Sequence, residues 1–337
     1  MAQNLGQRIR DWVYRPWLDW VQVEVTTACN ARCIYCPTAV LGDAWPRRHM
    51  SLADFRRILP MLARSARPSP WVQPLLHLQG WGEPLLNPDF PAIVATAKRA
   101  GMRIGTTSNA MALDSETAAR LIEAGVDVLS LSVAGVDERN DAIRRGTRLA
   151  RVFEALAGLD HHKKQRGSAT PSLHIAYMLL ASGLGDVERI PETFAGRGVD
   201  QIVVSTLGFV AEETLRGEAI VARTEAEYEA LDRRLGLVAA KAAGLDMELH
   251  YRIPPPPGRP PGLCAENVQA ALVVTVDGKV TPCMFSRFDE TPLAFGDLAG
   301  QSLSEIWWNE SYLKFRRSFW DGTPPPRCLA CDKLDRH

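Results

Sequence analysis

Between residues 21 and 205, apolar runs of strand length alternate with helical patterns, and this alternation limits the fold more than any other feature of the 337-residue chain. The strands read at 21–27, 74–80, 103–108, 127–133, 172–180 and 201–205. Between them, apolar residues recur three and four positions apart: Leu52, Phe55, Ile58, Leu59 and Leu62 in one segment, Phe90, Ile93, Val94 and Ala97 in the next. Similar stripes run through Ala118, Leu121 and Ile122, through Val152, Phe153, Leu156 and Leu159, and through Val187, Ile190 and Phe194. Six βα units in series require a parallel sheet covered by helices, because parallel neighbours cannot be joined by a tight turn. Periodicity alone does not decide whether such a sheet closes. In either case, reactive residues are expected at the C-terminal ends of the strands.

The first strand runs directly into a cysteine loop. Val21, Val23 and Val25 alternate with polar residues, Thr26 and Thr27 follow, and then come Cys29, Cys33 and Cys36. Three thiolates on one short loop can hold three irons of a cubane cluster and leave the fourth iron without a protein ligand. Zinc is the rival metal, but a structural zinc site wants four ligands, usually as paired Cys-x2-Cys knuckles. The nearest further ligand type is His49, beyond Pro46.

The other four of the seven cysteines lie far downstream, at 264, 283, 328 and 331. Lysine plus arginine and aspartate plus glutamate are equal at 39 each, which gives no support to a nucleic-acid or anionic-membrane partner. There is no apolar run long enough to span a bilayer and no signal-peptide h-region, so a cytoplasmic protein is expected. In that compartment grouped cysteines point to metal or redox chemistry rather than disulfides. Residues 1–18 form an N-terminal extension whose Trp12, Tyr14 and Trp17, with Trp20 just beyond, read as outer packing or as a lid.

After a helix at 225–243, the segment IPPPPGRPPG is stiff and extended, as suits a boundary between modules. The domains therefore read as a barrel-type unit over 19–252, a proline-rich linker over 253–262 and a small module over 263–337. In the module, residues 270–276 and 279–282 flank Asp277-Gly278 as a hairpin. Cys264 precedes it, Cys283 closes it, 292–302 reads as loop, and 303–319 reads as one helix ahead of Cys328-Leu-Ala-Cys331.

The loop Cys29-x3-Cys33-x2-Cys36, with Tyr35 before its last cysteine, resembles the cluster-binding signature of the radical S-adenosylmethionine (SAM) enzymes. The resemblance extends along the barrel. Gly80-Trp81-Gly82-Glu83-Pro84 stands where that family carries the GGE motif that receives the SAM amino group, with Trp81 in place of the commoner Gly. Thr107-Ser108-Asn109 occupies the place of a TNG-like, pocket-lining segment. Ser130 to Gly135 resembles the SLDG-type ribose segment, with Ser132 as the contact and Ala134 where Asp is usual. Ala142 to Gly146 resembles an IRG stretch, in which Arg144 or Arg145 would pair with the SAM carboxylate. The resemblance thus implies a SAM site made of Tyr35, Gly82, Glu83, Asn109, Ser132 and Arg145, with a backbone contact near residues 203–205 and a 4Fe-4S cluster on Cys29, Cys33 and Cys36. Cys264, Cys283, Cys328 and Cys331 resemble the twitch module, a shortened SPASM domain holding one auxiliary 4Fe-4S cluster; a zinc ribbon is the rival for that quartet.

The implied fold is α/β: a partial (β/α)6 TIM-like barrel with a small twitch module of hairpin plus helix. The implied activity is reductive cleavage of SAM to a 5′-deoxyadenosyl radical, fed by an external donor such as flavodoxin or ferredoxin, followed by hydrogen abstraction from substrate. With all seven cysteines committed, no thiol remains to quench a substrate radical, whereas a fully ligated auxiliary cluster would accept an electron. This arrangement resembles the 2-deoxy-scyllo-inosamine dehydrogenase type, which implies oxidation of a small molecule. Maturation of a ribosomal peptide by thioether or carbon–carbon cross-linking is the alternative, although many such relatives carry a leader-binding domain of roughly eighty residues and only about twenty precede the first strand here. A non-catalytic iron–sulfur or zinc protein is the third reading. None of the remaining histidines, His77 and His174 included, is assigned as a catalytic base.

Overall fold

The computed structural model describes residues 18, 20–65, 75–254, 256, 261–288, 293–331 and 333–336. Trp12, Tyr14 and Trp17 lie outside these residues, as does the middle of the proline-rich linker.

A βα series builds the larger part of the molecule. Strands β1 (Trp20–Val23), β2 (Leu75–Leu78), β3 (Arg103–Ser108), β4 (Val128–Val133), β5 (Ser172–Leu179), β6 (Gln201–Thr206) and β7 (Glu248–Tyr251) alternate with helices α1 (Leu52–Ser65), α2 (Phe90–Arg99), α3 (Ser115–Ala124), α4 (Leu149–Arg166), α5 (Ile190–Phe194) and α6 (Glu225–Ala243). All seven strands pair in parallel and in chain order. The helices cover one face, against which Leu129, Leu131, Val133, Leu173, Ile175 and Ile202 are buried. The opposite face carries His77, Ser130, Ser132, His174, Val203 and Ser205, which stay partly open in the concave interior. Residue alternation along each strand thus separates the packed outer face from the polar inner one.

β7 is a strand beyond the six expected. Its four residues alternate between exposed and buried, too short a run to stand out from a loop in sequence, and its place is set by pairing with β6.

The C-terminal module joins the same sheet. Its hairpin, β8 (Ala271–Val274) and β9 (Lys279–Thr281), turns through Gly278 at a φ of 84°, where a glycine avoids the Cβ clash. β8 lies parallel to β1, Trp20 opposite Ala271 and Val23 opposite Val274. A two-residue strand, β10 (Gly296–Asp297), continues the sheet inside the stretch expected to be loop. The sheet therefore runs β10-β9-β8-β1-β2-β3-β4-β5-β6-β7. Pro261 and Gly262, read as the end of the linker, belong to a strand Pro261–Cys264 that pairs antiparallel with Leu334–Arg336.

The single helix expected over 303–319 is two, α7 (Leu303–Trp307) and α8 (Glu310–Trp320). The break is a capping effect: Asn309 has extended backbone and its side-chain oxygen accepts the Tyr312 N–H at 2.8 Å, which starts a new helix. Ser302 and Glu305 form a capping box that starts α7.

Candidate functional site

Every element of the first cysteine loop is tied to a strand end. Beyond β1, Thr26 Oγ1 donates to the Arg48 carbonyl at 3.0 Å and Thr27 Oγ1 to that of Pro46 at 2.6 Å, while Trp45 Nε1 donates to the Thr27 carbonyl at 3.0 Å. The return segment after the cysteines is thereby fastened to the strand that precedes them. Arg32–Cys33 forms a short antiparallel ribbon with Arg144–Arg145, with Cys33 opposite Arg144. The Cys36 N–H closes the turn onto the Cys33 carbonyl at 3.0 Å. The loop is thus held from β1, from the segment that leads into α1, and from the segment after β4.

Gly82, Glu83 and Asn109, picked out in sequence, meet the root of this loop from the strand ends. Glu83 is 2 % exposed, and its carboxylate accepts three donors: Ser108 Oγ at 2.8 Å, the Asn109 N–H at 2.6 Å and the Leu85 N–H at 3.2 Å. Burial pushes its carboxyl above the usual range, and those donors pull it back. The Glu83 N–H donates to the Ala28 carbonyl at 2.8 Å, one residue before Cys29. A Cβ on Gly82 would sit 2.5 Å from the Thr26 carbonyl oxygen and 2.7 Å from that of Ala28. The close approach that glycine allows here is therefore to the root of the cysteine loop. Asn109 spans the same gap, its amide donating to Asn30 Oδ1 at 2.7 Å and lying 3.9 Å from Cys29 Sγ. Ser132 lies half-buried on β4, opposite Ala176. At the turn after it, Asn140 Oδ1 accepts the Ala134 N–H at 2.9 Å.

The two candidate arginines part company. Arg145 stands opposite Arg32 and is exposed, whereas Arg144 is 6 % exposed and donates to the hydroxyl of Tyr35. Neighbouring residues of a ribbon point to opposite faces, so only one of the pair can face the cysteines. Arg144 is the one that does, and its Nε–H is buried with no acceptor among the described residues.

Two of the three thiols share an electrostatic character. Burial pushes Cys29 up to about 11, and it raises Cys33 against the opposing pull of Arg144. Buried thiols of this kind become thiolates when a cation takes the place of the proton. Among the described residues, no group of three His, Cys, Asp or Glu is gathered closely enough to hold a single metal ion; a cubane holds its sulfurs farther apart than one ion does.

The C-terminal cysteines form a second group. All four line one cavity of about 300 Å³ together with Phe285, Phe315 and Leu334. Cys264 comes from the strand Pro261–Cys264, Cys283 follows β9, and Cys328 and Cys331 sit on a short turn where the Cys331 N–H donates to the Cys328 carbonyl at 3.1 Å. Burial pushes Cys264 up to about 11 and Cys283 up to about 12.

Between the two groups lies a junction that the sequence reading missed. Glu24, one residue beyond β1, is completely buried and ion-paired with Arg287, four residues after Cys283. The same carboxylate accepts the Trp81 N–H at 3.2 Å and the Val276 N–H at 3.3 Å. Gly80 is required beside it, because a Cβ there would lie 2.3 Å from Glu24 Cγ. Trp81 packs edge-on against Phe285 and Phe288, and its indole N–H donates to the Met284 carbonyl at 3.2 Å. Trp45 stacks on Phe288 at 5.5 Å and lies under the Arg287 guanidinium. A carboxylate on the inner-face parity of β1 was the available signal, since an acidic residue inside a barrel needs a partner.

Family models match both parts of the chain: the radical SAM superfamily over residues 23–171, and the SPASM iron–sulfur cluster-binding domain over 264–332. The chain belongs to the radical SAM superfamily, in the subgroup that carries a SPASM domain. It takes SAM and 4Fe-4S clusters as its cofactors. The radical SAM chain is 24 % identical over 330 residues to a tungsten-containing aldehyde ferredoxin oxidoreductase cofactor-modifying protein of Pyrococcus furiosus, covering 94 % of this chain and 88 % of the relative. It is 25 % identical over 330 residues to the PqqA peptide cyclase of Xanthomonas campestris pv. campestris, covering 94 % and 79 %. Among solved structures, Streptococcus suis SuiB bound to its precursor peptide SuiA superposes with a TM-score of 0.68 at 13 % identity, over 98 % of this chain and 74 % of SuiB. BtrN in complex with AdoMet and 2-DOIA superposes with 0.53 at 17 % identity, over 94 % and 91 %. The α/β fold, a mostly parallel sheet with helices and a C-terminal hairpin-plus-helix module, is the one these structures share. No helix among the described residues is long and apolar enough to cross a membrane.

Proposed function

We propose that this radical SAM chain oxidises a peptide substrate, which would lose a hydrogen atom and then a proton to a base and an electron, with an auxiliary cluster held by the second cysteine group supplying the electron acceptor. The observation that carries this reading is the pair of cysteine groups, each gathered on its own, joined through the buried Glu24–Arg287 junction. Similarity along nearly the whole chain to a peptide cyclase supports the peptide as substrate.

The residues fit both cofactors. Cys29, Cys33 and Cys36 offer three thiols and no nearby fourth, suited to a cluster with one open iron. Cys264, Cys283, Cys328 and Cys331 offer a full set around one cavity. When bound, the cofactors supply reductive cleavage of SAM to methionine and a 5′-deoxyadenosyl radical at the first centre and an electron acceptor at the second. The protein's own part is placement and exclusion of water. Arg144, rather than Arg145, is assigned to the SAM carboxylate, because its unpartnered Nε–H and buried charge face the loop. Tyr35 is held by Arg144, and Asn109 and Ser132 lie at the C-terminal ends of β3 and β4, where a SAM site is expected. Glu83 and Gly82 set the shape of the loop root; with its oxygens already accepting three donors, Glu83 can still accept from a SAM ammonium through a remaining lone pair.

Dehydrogenation of a small molecule is the second reading, favoured by the single four-cysteine cavity, which suits one auxiliary cluster. It places the same electron loss after the same hydrogen abstraction, with an external donor such as flavodoxin or ferredoxin supplying the initiating electron and the chain acting in the cytoplasm. Turnover of anaerobically reconstituted protein tests both. Peptide-dependent formation of 5′-deoxyadenosine, with the peptide losing two hydrogens by mass, is expected. About eight irons per chain without SAM cleavage in the presence of any peptide or polyol would overturn the enzymatic reading.

A further inference from the structure

The ribbon that fastens the first cysteine loop has an outer face of its own. Cys33 and Arg144 are buried on one side of it, so Arg32 and Arg145, directly opposite each other, stand on the other side, and both are exposed. Like charges facing each other across an antiparallel pair weaken it. Nothing among the described residues offsets the repulsion, since neither side chain has an ion-pair or hydrogen-bond partner there. Arg47 and Arg48 are exposed and without an ion pair in the same sense, on the return segment tied to Thr26 and Thr27. Arg148, also exposed, has Asp141 at 3.6 Å.

Over residues 28–48 and 138–148, seven arginines stand against Asp43, Glu138 and Asp141, and of the seven only Arg144 is buried. The chain as a whole has no net charge, so the excess is local. It sits on the cysteine loop itself. Arg32 directly precedes Cys33, and a Cβ on Gly146, next to Arg145, would come within 2.9 Å of the Asn30 carbonyl oxygen, between Cys29 and Cys33. The short helix Pro37–Leu41, which follows Cys36, leaves two large apolar side chains open, Val40 at 46 % and Leu41 at 43 %. Open apolar side chains beside arginines have the make-up of a protein contact, an apolar centre within a charged rim.

We infer that this face docks an acidic, flavin-carrying electron donor of the flavodoxin type. Arg32, Arg47, Arg48 and Arg145 meet its carboxylates, and Val40 and Leu41 meet the apolar dimethylbenzene edge of its flavin. One electron leaves the reduced flavin and is taken up by the cofactor on Cys29, Cys33 and Cys36. The inference rests on the proposed reaction, whose initiating electron comes from outside the chain, and it names the partner and the surface. Complementary charge suits a donor that must arrive, deliver and leave, because it speeds encounter more than it tightens the complex.

The test uses anaerobically reconstituted full-length protein and a purified flavodoxin. Binding is read by biolayer interferometry, and iron content and thermal midpoint are measured on every variant. Flavodoxin is expected to bind, and to bind about tenfold more weakly when salt is raised from about 50 to about 300 mM. Arg32→Glu combined with Arg47→Glu is expected to weaken binding by a factor of about ten or more with iron content unchanged, and Arg145→Glu alone by a smaller factor. The milder pair Arg32→Gln and Arg47→Gln answers the question if charge reversal disturbs folding. The charge-reversed double variant is also expected to lose flavodoxin-driven formation of 5′-deoxyadenosine while keeping that driven by dithionite, a small reductant that needs no docking surface. Salt-independent binding, or a double variant that binds flavodoxin like the parent chain, overturns the inference. So does tighter binding of a ferredoxin, of oligothymidylate or of phosphatidylserine vesicles than of flavodoxin. Absence of dithionite-driven SAM cleavage by the parent chain, alongside arginine-dependent flavodoxin binding, would sink the proposed reaction and leave the docking face standing.

Discussion

The two cysteine groups are built in different ways. The first is local: eight residues of one loop supply Cys29, Cys33 and Cys36, and its supports are strand ends of the βα series. The second is assembled from three segments, bringing Cys264, Cys283 and the Cys328–Cys331 turn together across 68 residues of chain. A local site forms once its loop is fastened, whereas an assembled one needs the whole module in register first. The module obtains that register by borrowing the barrel's sheet: β8 pairs with β1, and Glu24 beside β1 pairs with Arg287. The first site is therefore a product of the barrel alone, and the second a product of the barrel and module together.

The sharpest contrast is expected from losing one thiol in each group. Cys33→Ala removes one of only three protein ligands, so SAM cleavage is expected to vanish while about four irons per chain remain, on the auxiliary site. Anaerobic iron counting and 5′-deoxyadenosine quantification check this. Near eight irons in that variant would break the assignment of Cys33. Cys328→Ala acts on the other side of the comparison: some uncoupled SAM cleavage is expected to persist while product falls steeply. Full product yield from Cys328→Ala would remove the auxiliary site from the electron path.

The dependence of the module on the barrel is tested at the junction. Arg287→Ala leaves the Glu24 carboxylate buried and unpaired, an arrangement that costs about 3–5 kcal/mol in comparable cases. Burial already pushes the Glu24 carboxyl up, and Arg287 is the charge that opposes the shift. A lower denaturation midpoint and loss of iron from the C-terminal group, with the first cluster retained, are the expected outcome. Adding Glu24→Gln should recover a good part of the stability, since the amide keeps donors and acceptors without a charge to bury. Equal loss of iron from both groups would mean that the two sites are not built separately.

The same contrast explains what the sequence made legible. The βα series, the hairpin at Asp277-Gly278, the first cysteine loop and the separate Cys264/Cys283 and Cys328/Cys331 pairs follow from patterns within about twenty residues, which is the range over which periodicity and turn chemistry act. What escaped is non-local. Glu24, between Val23 and Val25, looks like the polar half of a half-buried strand, yet it is completely buried and its partner is 263 residues away. The pairing of β8 with β1 has no local signature either. Arg144 and Arg145 are chemically equal in sequence, and only the register with Arg32–Cys33 decides which one faces inward.

A smaller perturbation separates the ion pair from the aromatic contacts around it. Trp81 holds the barrel's GWGEP loop to the module in two ways, by edge-on packing on Phe285 and Phe288 and by its indole N–H on the Met284 carbonyl. Trp81→Phe keeps most of the packing and deletes the hydrogen bond, so a loss of about 0.5–1.5 kcal/mol is expected, well below that for Arg287→Ala. Chemical denaturation of the two variants side by side measures the ratio. If Trp81→Phe cost as much as Arg287→Ala, the junction would be held by that indole contact and not by the buried charges, and the module's register would follow from packing alone.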